Sequence, residues 1–246
     1  MHSRKPLDHL VFSNGWRSRS PLEKLVFAGG LLLSTTSIPA WPWALAIFAI
    51  SSAAAWWSAA IPLRAWARFL APQLAFVSFA AFPLLFTLTP MQWTEAGAER
   101  AAAVWLRGLA AASSLTLLSL TTPVPDLLLV ARQAKAPPLL VESAFLIYRL
   151  LTSLYDLLER LTTGLHLRLC GTKLRLPAAS LSAGNLLVRG FTLARRIERG
   201  AAVRGLEGYH LLPPQTRTSA RFLAGALAIE LVLWISAVLL RSRFPW

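Results

Sequence analysis

The sequence predicts an all-α, polytopic membrane protein of about five transmembrane helices, with long cytoplasmic amphipathic helices attached. Two observations carry that prediction. Of 246 residues, 55% are hydrophobic and only 15% charged, and the mean hydropathy is +0.53, whereas a soluble domain carries about 25% charged residues. So few charges cannot cover a globular surface, and much of this surface must face lipid. Secondly, apolar runs approaching the roughly 20 residues that cross a bilayer recur along the chain.

The elements follow in order. Residues 1–24 are polar and basic, without the apolar core and small-residue cleavage site of a signal peptide. The first expected span covers residues 22–37 and ends before Pro39. The second covers 43–61, between Pro42 and Pro62, and the third covers 69–88, with Pro72 and Pro83 inside it. The fourth runs over 101–120 and stops at Thr121-Thr122-Pro123, and the fifth covers 222–240. Tryptophans such as Trp41, Trp43, Trp56, Trp57 and Trp93 fall near these ends, where amphipathic rings favour the interface.

Basic residues give the orientation, since Lys and Arg collect on the cytoplasmic side. The N-terminal segment holds Arg4, Lys5, Arg17, Arg19 and Lys24, and the turn over 37–42 is uncharged. Arg64 and Arg68 follow the second span, Glu95 and Glu99 the third, and 13 Lys or Arg lie in residues 123–218. Five spans with this distribution predict a cytoplasmic N-terminus and an external C-terminus. They also divide the chain into an N-terminal segment with four spans (1–122), a cytoplasmic segment (123–218) and a last span with its tail (219–246).

Residues 123–218 are too polar to span cleanly and too apolar for a loop. Leu140, Ala144, Ile147, Leu151, Leu154, Leu158 and Leu161 recur at three- and four-residue spacing, as one face of a helix. Gly164 and the stretch from Gly171 to Pro177 are expected to interrupt it. A second helix is expected over about 181–206, with Leu187, Phe191, Ala194, Ile197 and Ala201 on one side. Each helix closes on an arginine followed by glycine: Arg168 before Gly171, and Ala202-Val203-Arg204-Gly205. A cation suits the negative end of a helix, and glycine permits a sharp stop.

The net charge of +14 admits nucleic acid, anionic lipid or acidic protein as partner. In a membrane chain the last two are expected and nucleic acid is not. Cys170 stands alone, which excludes an internal disulfide. The four histidines show no paired ligand spacing, and no P-loop motif occurs. Gly29-Gly30 suggests close helix packing. Glu230 is the lone charge of the last span, expected to pair with Arg107 or to face a subunit interface, with the structural pairing preferred.

Several segments together resemble the transmembrane T component of energy-coupling factor transporters, most closely the cobalt-system CbiQ branch. Ser20-Pro21-Leu22-Glu23-Lys24-Leu25 resembles the family's Asp-Pro-x-x-Lys-Leu motif. Thr121-Thr122-Pro123-Val124-Pro125-Asp126-Leu127 is similar to its Thr-Thr-x-Pro-x-Asp-Leu stretch, and Ala136-Pro137-Pro138 with Ile147-Tyr148-Arg149 to its Tyr-Arg helix. The two Arg-Gly elements resemble its Ala-Arg-Gly signatures. The first departs from that pattern as Arg-Leu-Cys-Gly, and the second has Val203 where alanine is usual.

The resemblance implies a non-catalytic subunit of an ATP-driven importer in the bacterial inner membrane, carrying cobalt ion and serving cobalamin biosynthesis. Its implied partners are two ATPase subunits, which hold ATP and Mg, and a CbiM-like substrate-binding membrane subunit. Arg168, Gly171, Ala202, Arg204 and Gly205 are the implied ATPase-docking residues. No cofactor or metal is expected on this chain. A membrane-embedded lipid-modifying transferase is the alternative, as is the same role for nickel or a vitamin.

Overall fold

The computed structural model describes residues 14–17, 19–88, 91–93, 95–168, 175–203 and 219–240. These fall into two compact units, one formed by the chain up to Leu127 together with the part from Pro214 onward, the other by Leu128–Pro213.

In the first unit, helix α1 (Pro21–Ser37) starts with proline in its first turn after an extended Ser20, a placement that wastes no backbone donor. Helix α2 (Trp43–Ala53) continues into a π-helical turn, Ala54–Ser58. Helix α3 (Leu63–Ala81) tightens to 3-10 geometry over Phe82–Leu85. An antiparallel pair follows, β1 (Phe86–Leu88) with β2 (Met91–Trp93), in the register Phe86 to Trp93. The expected third span therefore stops short of Leu88, because Pro83 lacks the N–H that would carry the helix on. Helix α4 (Glu95–Thr121) packs against α1, α2 and α3, and helix α8 (Ala220–Leu240) packs against α1.

Phe27, Leu31, Trp43, Ile47, Leu117, Leu120 and Leu233 form the centre of this unit. Polar pairs hold helices in register inside it. Ser51 bonds Ser113 at 2.8 Å between α2 and α4, and the Trp43 indole donates to Ser236 of α8 at 2.9 Å. Trp43 is thus a core residue, whereas Trp57 is 87% exposed.

Four helices among the described residues are long and apolar enough to cross a membrane: Leu63–Leu85, Gly97–Thr121, Pro138–Gly164 and Ala220–Leu240. Three of them are the expected third, fourth and fifth spans. The expected first span is a 17-residue helix, about 26 Å long at 1.5 Å per residue, short of a ~30 Å hydrocarbon core. The expected second is likewise a shorter apolar helix, Trp43–Ser58. The protein is a multi-pass, essentially all-helical membrane protein.

The second unit contains the end of helix α5 (Val124–Gln133), together with helices α6 (Pro138–Arg168) and α7 (Arg175–Val203). Leu154 of α6 meets Gly190 of α7, where an added Cβ would lie 3.2 Å from the leucine Cδ2. Leu157, Leu158 and Leu161 of α6 and Leu186, Leu193, Ala194 and Ile197 of α7 are half-buried. Helix α6 runs through Gly164, the expected interruption. Its Pro138–Gly164 part carries the composition of a span as well as the amphipathic pattern expected of a cytoplasmic arm.

Candidate functional site

The helices expected to dock a partner are 31 and 29 residues long. The two helices pack on one another, and each has half-buried apolar residues and a second set that stays exposed. On α6, Ile147, Leu151 and Tyr155 are exposed at four-residue spacing. On α7, Leu187, Val188 and Phe191 are exposed. The apolar face expected on α7 therefore divides, with Ala194 and Ile197 half-buried and Leu187 and Phe191 exposed.

Arg168 is the last residue of α6 and Ala202 is exposed in the last turn of α7. Gly171, Arg204 and Gly205 lie outside the described residues. Among the described residues, no three His, Cys, Asp or Glu side chains gather as a metal site.

Glu230 does not meet Arg107. Its carboxylate lies over Gly30 of α1, so close that a Cβ there would overlap it. Arg107 is exposed on α4, and the described residues contain no ion pair between the two. The reason is topological: α8 packs on α1, while α4 packs on α1, α2 and α3.

A third constellation joins two segments that lie 97 residues apart in sequence. Helix α4 ends at Thr121, and its last carbonyls need donors. The regular partners of Ser119 and Thr121 would be the N–H groups of residues 123 and 125, but both are proline and have none. Outside donors reach this helix end. Asn14 Nδ2 donates to the Leu120 carbonyl at 2.9 Å, and Lys24 Nζ donates to the Thr121 carbonyl at 3.1 Å. Lys24 is only 2% exposed, and its charge complements the negative end of α4.

The preceding residue treats a helix end of opposite polarity. Glu23, fully buried, accepts the backbone N–H of Ser219, immediately before α8. An anion there matches the positive end of α8. The second Glu23 oxygen makes no hydrogen bond, but Arg19 Nη1 lies 3.9 Å from it. The Arg19 guanidinium also stacks 4.3 Å from the centre of the Phe222 ring, and Phe222 packs edge-on with Trp16 and Phe27. Asp126, in the first turn of α5, completes the group. Burial pushes its carboxyl above the usual range, while Lys24 and Arg17 pull it back down.

In the sequence Lys24 and Asp126 stand in separate motifs, with nothing to show that each lies in the other's field. The signal lies in the Pro-Val-Pro spacing, which announces orphan carbonyls but not which side chains answer them.

Residues 13–217 match the CbiQ cobalt transport protein family. The cobalt transport protein CbiQ of Rhodobacter capsulatus is 31% identical over 240 residues, covering 96% of each chain. An uncharacterized protein of Methanocaldococcus jannaschii is 26% identical over 251 residues, covering 96% of this chain and 94% of its own. With one family spanning residues 13–217 and a relative similar from end to end, the chain belongs to the CbiQ cobalt transport protein family.

Proposed function

We propose that this chain is the energy-coupling membrane component of an ATP-driven importer of cobalt ion. It links two ATPase subunits, which carry ATP and Mg, to a separate CbiM-like membrane subunit that binds the substrate. The chain itself performs no catalysis. It lies in the bacterial inner membrane with its N-terminus and α6–α7 on the cytoplasmic side.

One observation carries the reading: α6 and α7 form a long helical pair that leaves Ile147, Leu151, Tyr155, Leu187 and Phe191 uncovered within their own unit. Such strips fit amphipathic helices that lie in a partner's groove. Arg168 and Arg204 would pair there with carboxylates, and Gly171, Ala202 and Gly205 would allow close approach. Charge-assisted bonds of this kind contribute about 1.5–3 kcal/mol each, enough to hold while the helices move.

Pull-down in mild detergent tests it. Wild type is expected to bring down ATPase subunits, and the Arg168→Ala/Arg204→Ala double variant to lose at least about tenfold of them, the effect of ~1.4 kcal/mol. Equal recovery in both would remove the two arginines from the site. Absence of ATPase with folded wild type would sink the coupling reading.

A further inference from the structure

The Glu23–Lys24 pair is an expensive feature. Burying two charges costs several kcal/mol per ion before their contacts offset it, and here the two are adjacent on one turn, so they point at different neighbours instead of pairing with each other. Each caps a helix end of matching polarity: Lys24 the C-terminus of α4, Glu23 the N-terminus of α8. Those two ends share a property given by chain order alone. Thr121 lies just before the chain passes into the unit formed by Leu128–Pro213, and Ser219 lies just after it returns.

We propose that Glu23 and Lys24 are positioning residues for energy coupling: one turn of α1 grips both connections by which the α6–α7 unit is attached, so that displacement of either connection is delivered to the membrane helices. This rests on the coupling function proposed above.

Three details support a mechanical role over simple stability. Pro123 and Pro125 remove the local donors, so the α4 terminus depends on a distant side chain for satisfaction, and Asn14 adds a second such bond to Leu120. The grip is flanked by close aromatic packing, since Trp16, Phe27 and Phe222 meet edge-to-face with centroids 5.5–6.2 Å apart. Asp126 places a partly buried carboxyl on the departing connection within the field of Lys24 and Arg17. Displacement of α5 is then expected to change the field at the lysine that holds α4.

The test uses the complete transporter in vesicles, reading ATP hydrolysis and ATP-dependent uptake of Co2+ together. Lys24→Met is expected to retain bound ATPase subunits and to hydrolyse ATP within about twofold of wild type, while ions imported per ATP fall at least about tenfold. Lys24→Arg, which keeps charge and donor, is expected to restore the ratio. Lys24→Gln keeps an amide donor for folding but no charge. It serves where Lys24→Met is too unstable, and is expected to uncouple as well. Proportional loss of hydrolysis and uptake, or an unchanged ratio in both Lys24→Met and Lys24→Gln, overturns the proposal and leaves the coupling function standing. A wild-type complex that hydrolyses ATP without importing Co2+ overturns both.

Discussion

Asp126 shows how a single side chain reports its surroundings. Burial raises its pKa despite the pull of Lys24 and Arg17, so the folded state binds the Asp126 proton more tightly than the unfolded chain does. Its contribution favours folding below the ordinary carboxylate range, near 3.9, and is lost as pH rises through the raised value. Replacing it by Asn removes the cost of the buried charge. Asp126→Asn is therefore expected to raise the melting temperature in detergent at pH 7 by more than at pH 4. An equal shift at both pH values would show that the carboxyl is not buried as described. Trp43 teaches the complementary lesson about legibility. Its position beside Pro42 suggests an interfacial ring, yet it is 3% exposed with its indole on Ser236. Aromatic belts and aromatic cores look alike in sequence, because the difference lies in a helix that arrives 193 residues later.

At the scale of elements, small residues decide which helices approach. A Cβ on Gly108 of α4 would overlap the Val77 side chain of α3. Val77 is β-branched with few rotamers to offer, so Gly108→Ala is expected to push the helices apart and cost about 1–3 kcal/mol. Gly30→Ala meets only the end of the Glu230 side chain, which can swing aside, and should cost less. Thermal unfolding of the two variants compares them directly; a larger loss at Gly30 would contradict the tight α3–α4 contact. Apolar runs disclose α4 and α8, and periodicity discloses α6, whose pattern repeats over many turns. Such runs overextend the C-terminal ends of α2 and α3, which are set by a π turn and by Pro83, whereas α1 ends at Ser37 as expected. Periodicity also joins α7's apolar residues into one face, since a strip two helices wide and a strip with two separate partners have the same period.

For the whole molecule, the open contrast is α6, apolar enough to cross a bilayer over Pro138–Gly164 yet half of an amphipathic pair. With Cys170 replaced by Ala, cysteines at Thr152 and Thr192, exposed on α6 and α7, are expected to react with an impermeant maleimide in inverted vesicles and not in intact cells. Silence on both sides would place α6 in lipid. The class and family of this chain are legible in its sequence because composition and motif order survive without any partner in view. The capping of α4 and α8 is not, since it depends on residues brought together across 97 and 196 positions. That separation matters to biosynthesis. Helix α1 leaves the ribosome with a carboxylate at Glu23 whose bonding partner, Ser219, follows 196 residues later. Until that stretch is made, Glu23 has Arg19 beside it but not the Ser219 N–H that it holds in the folded protein. A chain halted before residue 219 is therefore expected to leave one Glu23 oxygen without its backbone donor.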